Sequence, residues 1–336
     1  MKRIVYYIVP EMTIGGVESG LSDNIGDLKE FFDIRVLYVK RRGVINVGQE
    51  SVWKMLFSKD KPDLVITSLW WAHLLGFYFK SRGVKWVCFI HSTRYKTFPT
   101  KIISKLSFKF SDFLWADSIS TRDFIVKETL RNDVGIIPFN RKSWKRDLEL
   151  QPRLFDGIYV GRNSTEKRLD ILTNLVRQII ELKPDFSFTF ILSGQDVNKH
   201  VDNLVASFPL NISVKYNLPK NEVIRNLEKH SFFFLTSDFE GMSMATIEAI
   251  RAGCVPVVRV VGEMNNYLDK KISCISIDDI KDHRLKDVAR RVVSIRHNES
   301  VKVEMNRAAN EALDDLGDYV ENMVEQVSFI VNSQKL

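Results

Sequence analysis

Cysteine is scarce. Cys88, Cys254 and Cys274 are scattered and odd in number, which leaves neither a disulfide framework nor the close thiol pairs of a zinc or redox-dithiol site. They read as buried thiols of a reducing compartment. Long apolar runs are also missing: no stretch approaches the roughly 20 residues that a membrane span needs. The opening Lys2-Arg3 followed by Ile4–Val9 superficially matches a secretory leader, but the apolar part is short and Pro10-Glu11 stands where a small-residue cleavage site belongs. A buried first strand and a cytoplasmic protein are expected instead. Low-complexity segments and internal repeats are absent, no Gly-x-Gly-x-x-Gly follows either first strand, and no helix-turn-helix, RRM or OB signature is present.

What is there is ordinary globular usage, 45% hydrophobic and 27% charged over 336 residues, a length that predicts two domains of roughly 150 residues each. Short runs rich in Val, Ile and Phe alternate with amphipathic segments, the pattern of βαβ units and parallel sheets. In the first half the runs predict strands at 3–9, 33–38, 64–67, 86–91, 113–120 and 134–138. In the second they fall at 157–161, 187–192, 212–215, 232–235 and 255–258, with one more near 272–275. The periodic pattern breaks between Asn140 and Phe155, so domains are expected at 1–150 and 151–318. Tyr319, Met323, Val327 and Ile330 at helical spacing predict a terminal helix over 319–336.

The net charge is +7, and Lys and Arg concentrate between Lys80 and Lys109, interleaved with Trp86, Tyr95, Phe98 and Phe108 and followed by Phe110. Such a mixture suits the face of an anionic membrane. A nucleic-acid surface or a solvated basic helix carries the same composition, but no nucleic-acid-binding signature accompanies it, so no nucleic-acid partner is expected.

The most informative stretch runs from Leu235 to Val258 and reads as strand, loop, helix, glycine stop and strand. Ser243 is expected to cap the helix and Gly253 to end it. Loop N–H groups at a helix N-terminus, here around Gly241, Met242 and Ser243, seat phosphate. The carboxylates Glu240 and Glu248 lie eight positions apart and suit hydroxyl recognition. Earlier, Tyr159-Val160-Gly161-Arg162 ends a strand and Lys167 follows at the mouth of a helix, two cations fit for a diphosphate. Ile14-Gly15-Gly16-Val17-Glu18 opens the first helix, and His91 stands at the end of a strand-like run, where α/β sheets face their ligands.

With Glu240, Glu248-Ala249 and Gly253-Cys254-Val255-Pro256-Val257-Val258, the chain resembles the retaining glycosyltransferases of family four. That family follows Glu-x7-Glu with Ala and Gly-x-Pro-Val-Val; here one extra residue separates Gly from Pro. The resemblance runs from about Lys2 to Val261. It implies the GT-B fold: an α/β architecture of two Rossmann-like domains facing each other across a deep cleft, with an N-terminal acceptor-binding and a C-terminal nucleotide-sugar-binding domain and a last helix returning to the first. By the same resemblance Arg162 and Lys167 neutralise the leaving diphosphate, while Glu240 and His91 lie near the donor sugar. Gly15, Gly16, Gly161, Gly194, Gly241, Met242, Ser243 and Glu248 would line the donor. The expected donor is a nucleotide-diphosphate sugar, UDP before GDP, with no metal and no cofactor, and the acceptor a saccharide or a lipid-linked one. Peripheral contact with the inner face of a membrane through Lys80–Phe110 is expected as well. Arg168 departs from the family, which usually has Gly there; Ser92 also departs, and Asn140 lacks the glycine usually beside it and is given no role. A sugar-nucleotide epimerase of the same fold and a non-catalytic nucleotide-sugar binder are the alternatives.

Overall fold

The computed structural model describes residues 2–11, 16–39, 49–56, 61–95, 97–144, 153–194, 198–278 and 282–333. The chain divides into two compact units, Met1–Arg141 with Gly317–Leu336, and Lys142–Leu316.

The first unit alternates β1 (Ile4–Val9), α1 (Gly16–Phe31), β2 (Asp33–Tyr38), β3 (Gln49–Ser51), α2 (Val52–Leu56), β4 (Leu64–Ser68), α3 (His73–Ser81), β5 (Lys85–Ile90), α4 (Phe98–Phe110), β6 (Phe113–Ala116), α5 (Ile119–Thr129) and β7 (Val134–Ile136). The strands form one parallel sheet in the order β3-β2-β1-β4-β5-β6-β7. Helices cover both faces, so β1, β4 and β5 are nearly continuous apolar runs whose residues are buried almost throughout. Tyr6, Ile8, Leu37, Val65 and Phe79 pack one side, and Trp86, Cys88, Phe108, Leu114 and Ile125 another cluster.

The second unit contains β8 (Phe155–Arg162), a 3-10 turn (Thr165–Lys167), α6 (Leu169–Leu182), β9 (Phe188–Ser193), α7 (Lys199–Ser207), β10 (Ile212–Tyr216), α8 (Lys220–Leu227), β11 (His230–Leu235), α9 (Met244–Arg251), β12 (Val255–Val258), α10 (Met264–Tyr267), β13 (Ile275–Ser276), α11 (Asp282–Ile295) and α12 (Glu299–Asp315). Its parallel sheet runs β10-β9-β8-β11-β12-β13. Phe188, Phe190, Phe232, Phe233 and Phe234 fill its core with Leu172, Leu175, Ile179 and Ile247.

The chain leaves the first unit at Arg141, inside the break from Asn140 to Phe155 but ahead of the expected limit at 150, and re-enters it at Gly317, two residues before 319. The reason is a local joint. Asn140, fully buried, donates its side-chain amide to the carbonyl of Gly317 at 2.8 Å and accepts the Tyr319 N–H on its own carbonyl at 2.8 Å. Phe139 stacks on Tyr319 with ring centroids 4.8 Å apart, and Arg141 lies 3.3 Å from the Asp318 carboxylate. Asp318 then caps α13 (Tyr319–Asn332), which packs against α1. Asn140, to which no role was attached from sequence, is the centre of this joint. Part of the expected linker, residues 145–152, lies outside the described residues.

Candidate active site

In a doubly wound parallel sheet, ligands bind beyond the carboxyl ends of the strands, where consecutive connections part in opposite directions. In the second unit that point lies between β8 and β11, neighbours in the sheet whose connections run to β9 and to β12. The residues leaving β8 and β11 are sewn together there. The Thr236 hydroxyl donates to the carbonyls of Lys167 and Arg168, each at 3.0 Å, and the Asp238 N–H donates to the Glu166 carbonyl at 2.8 Å. These bonds bring the Lys167 ammonium 2.6 Å from Glu240 Oε1, with both side chains largely shielded from water.

Arg168 explains how the chain turns between the Lys167 turn and α6. Its φ is 49° and its ψ 51°, the left-handed conformation that glycine adopts freely and other residues adopt at a cost. The guanidinium holds the Asp170 carboxylate at 2.9–3.0 Å and Asp238 at 3.3 Å, and Arg259 binds Asp238 from the other side. The bond to Asp170 raises the Arg168 pKa first, with Asp238 adding to it. Against the upward pull of partial burial, Arg259 and Arg168 hold Asp238 below the usual carboxylate range.

The loop Glu240–Ser243 is clamped from β12's far end. The Gly241 carbonyl accepts the Glu263 N–H at 3.2 Å and the Met242 carbonyl accepts the Tyr267 hydroxyl at 2.9 Å. Gly262, at φ +61°, touches the same loop so closely that an added Cβ would lie 1.9 Å from the Glu240 carbonyl oxygen. Among the hydrogen bonds of the described residues, none uses the N–H of Gly241, Met242 or Ser243. Ser243 stands at the N-cap of α9 but does not cap it with its side chain: at φ 55° its hydroxyl meets the Thr246 hydroxyl at 2.8 Å instead. Gly253, at φ 92°, does follow the helix end.

The other residues expected at the donor fall less closely together. Glu248 is buried on α9 and ion-paired with Lys220, the first residue of α8, whose ammonium also lies 5.9 Å above the Trp144 ring. The Arg162 side chain is 65% exposed and, among the described residues, pairs with Glu166 at 3.7 Å rather than joining Lys167. Gly161 leaves room for Tyr159, whose hydroxyl donates to the Arg162 carbonyl at 3.0 Å and would lie 2.5 Å from an added Cβ. The backbone of Gly194 is occupied by the Asn217 side chain, which accepts its N–H at 2.9 Å and donates to its carbonyl at 3.1 Å.

In the first unit the corresponding point lies between β1 and β4. Gly15, beyond β1, is outside the described residues; Gly16 opens α1. His91 follows β5 but does not open into solvent. Its ring is buried between Phe89 and Phe139, at centroid distances of 4.2 and 5.4 Å. Nε2 lies 2.6 Å from the Ser68 hydroxyl at the end of β4, and Nδ1 3.5 Å from Asp117 Oδ2 just beyond β6. With Asp117 beside Nδ1, the proton belongs on that nitrogen and Ser68 donates to Nε2. Deeper in the sheet, burial above all pulls the pKa of His73 down to about 3, with the neighbouring His91 acting in the same direction, so His73 stays neutral beside Thr67 and Cys88.

Residues 140–311 match the model of the family Glycosyl transferases group 1. The chain belongs to this family. Solved structures agree on the fold. HepE from Anabaena, in complex with UDP-glucose, superposes with a TM-score of 0.77 over 98% of this chain and 99% of its own, at 13% identity. Sucrose-phosphate synthase from Thermosynechococcus elongatus gives 0.76 over 99% of each chain at 12% identity. TarM, from S. aureus, gives 0.68 over 84% of this chain at 15% identity, and the match spans 57% of TarM's length. No curated protein matches at the level of sequence. This group 1 chain has the GT-B fold.

Several residues that shape the site of this glycosyl transferases group 1 member were not singled out from sequence. Lys220, Arg259 and Gly262 act across long separations that no local spacing announces. Asp238 lies two residues before Glu240, and Asp117 sits in Ala116-Asp117-Ser118, where a carboxylate beside a helix cap was the available signal. Ser68 carried none. Among the described residues no group of three or more His, Cys, Asp or Glu side chains gathers as a metal site, and no helix is long and apolar enough to cross a membrane.

Proposed function

We propose that the chain is a retaining, metal-independent glycosyltransferase that moves a hexosyl or N-acetylhexosaminyl group from a UDP-sugar, in preference to a GDP-sugar, to a saccharide or lipid-linked acceptor, in bacterial O-antigen, lipopolysaccharide or capsule synthesis. The observation that carries the reading is the Lys167–Glu240 pair held at 2.6 Å where β8 and β11 part, beside the clamped loop that leads into α9.

The chemistry follows from charge. A departing nucleoside diphosphate needs cations and N–H donors aimed at its oxygens. Lys167 is a permanent cation currently neutralised by Glu240, so a diphosphate would take over the ammonium and leave the Glu240 carboxylate to accept hydroxyls of the donor sugar. The N–H groups of Gly241, Met242 and Ser243, which no other group among the described residues uses, would face phosphate oxygens. Arg162, mostly exposed, has the freedom to swing onto the same diphosphate. The two cations would then do the work for which other enzymes recruit a divalent ion. Glu248, oriented by Lys220, suits a ribose diol. Attack by the acceptor hydroxyl on the face from which the diphosphate leaves, with the proton passing to that phosphate, retains configuration and leaves Glu240 a positioning carboxylate. The UDP preference rests on neighbours of the same fold that were solved with UDP or UDP-glucose.

Incubating the purified chain in EDTA with UDP-glucose, UDP-N-acetylglucosamine and their GDP counterparts, with bacterial lipid extract as acceptor source, tests this. UDP release with a glycolipid product of the donor's anomeric configuration is expected. An inverted product overturns retention, a divalent-ion requirement overturns metal independence, and a free epimerised sugar makes the protein an epimerase.

A further inference from the structure

Helix α4 buries its small polar residues and exposes its large apolar ones. Thr100, Ser104 and Ser107 face inward with Phe108, and the helix packs against α3 and α5. Phe98 is 74% exposed, and Ile102, Leu106 and Phe110 are 46%, 45% and 45% exposed. A surface helix of a globular unit ordinarily does the reverse. Folding therefore gives no account of this partition, and four large apolar groups in one place on a surface mark a contact. Phe110 touches the edge of Phe77 at 6.2 Å; the rest of the row extends outward.

The rows are ordered. At a fourfold step along a helix, residues 98, 102, 106 and 110 form one stripe, and Lys101, Lys105 and Lys109 form the stripe beside it. The segment from Tyr95 to Ser111 has no Asp or Glu. Among the described residues the acidic group facing the row is Glu128 of α5, which lies 3.0 Å from Lys105 and also feels the charge of Lys101. Lys101 lies over the Tyr95 ring and Lys109 over the Phe110 ring.

We propose that α4 is an interfacial helix that seats the chain on an anionic phospholipid surface, its apolar stripe entering the acyl boundary and its lysine stripe reaching the phosphates. The occupant follows from chemistry: a lipid surface rewards a continuous apolar row flanked by cations, whereas nucleic acid leaves the four apolar side chains uncovered. The contact is narrower than the stretch Lys80–Phe110 suggested by composition. Trp86 and Phe108 are buried, Tyr95 is hydrogen-bonded to Glu128, and Lys80 is paired with Asp112.

The test is cosedimentation of the full chain with phosphatidylcholine vesicles, with and without phosphatidylglycerol. Binding only to the anionic vesicles, weakened by salt, is expected. Lys101→Glu with Lys109→Glu should lower partitioning roughly tenfold or more, and Ile102→Ser with Leu106→Ser should do likewise while the cooperative melt is retained, each side chain being about half exposed. Donor hydrolysis in detergent-free buffer without vesicles should be unchanged in both variants, which separates this contact from the sugar chemistry. No vesicle binding, or binding that neither pair of substitutions alters, overturns the proposal. So does light scattering that finds a dimer which the Ile102/Leu106 variant converts to monomer, because the stripe would then cover a second copy.

Discussion

The ammonium of Lys167 and the carboxylate of Glu240 hold each other at 2.6 Å across the point where β8 and β11 diverge. Without ligand each satisfies the other. In the proposed function a diphosphate would take over the ammonium and release the carboxylate, so the pair would couple donor binding to sugar positioning. Lys167→Ala is expected to lower transfer by about a hundredfold or more, the usual cost of one donor to a developing anion, and steady-state kinetics with the UDP-sugar would show it. An unchanged kcat rules out this use of Lys167.

Gly262 has no space for a side chain. An Ala there meets the Glu240 carbonyl oxygen at 1.9 Å and must also hold φ at +61°, so the Glu240 loop has to move. The Gly262→Ala variant should lose UDP-induced thermal stabilisation while its own unfolding free energy falls by about 1–3 kcal/mol. Retention of the full UDP shift would mean the loop tolerates displacement.

Two substitutions at Arg168 separate backbone strain from ion pairing. Arg168→Gly relieves a left-handed conformation costing about 1–2 kcal/mol while losing the bonds to Asp170 and Asp238, so its net effect should lie near zero. Arg168→Ala keeps the strain and loses the same bonds, and should be the less stable of the two in urea titrations. The opposite order would mean that the left-handed backbone at position 168 carries no strain that glycine relieves.

His91 is oriented rather than free, with Ser68 on Nε2 and Asp117 beside Nδ1. Asp117→Asn removes the charge and preserves the shape. Transfer is expected to drop by about tenfold or more, with kcat affected more than the donor KM and the pH profile displaced. A loss confined to the melting temperature would make Asp117 purely structural.

Stability should also fall in mild acid, and His230 supplies the sign. Burial pulls its pKa from 6.5 down to about 4, outweighing the bond to the Asn226 carbonyl, which pulls the other way; the buried ring also meets the Thr189 hydroxyl on its second nitrogen. Between those two pH values the unfolded chain is protonated and the folded one is not, so protons favour unfolding. The contribution is intact above about pH 6.5 and is lost as pH falls toward about 4. His230→Gln should flatten that slope in thermal melts recorded across this range; an unaltered slope would assign it to other groups.

How much of this was legible beforehand varies by residue for physical reasons. Strands buried on both faces announce themselves as apolar runs, and β2 and β12 span the residues that the pattern predicts. The run from Phe113 reads as strand through Ser120, but Ser118 caps α5 by accepting the Thr121 N–H, which ends β6 at Ala116. Residues near Ile272 read as strand and form a turn, since the Asp269 carboxylate accepts the N–H groups of Lys271 and Ile272. The edge strand β3, Gln-Glu-Ser, has no apolar signal at all. At the site, Glu240 and Lys167 stand in recognisable local contexts, whereas Lys220 reaches Glu248 from 28 positions away. Composition identified the basic aromatic stretch, but only packing reveals that α4 turns its apolar row outward.

The central claim is that a nucleoside diphosphate is held by Arg162, Lys167 and the Gly241–Ser243 backbone without a metal ion. Calorimetric titration of UDP into the chain in EDTA, beside the Arg162→Ala/Lys167→Ala variant, measures this directly. Saturable binding by the wild-type chain that the double variant loses is the predicted result. Binding that appears only with added divalent cation, or that the double variant retains undiminished, contradicts it.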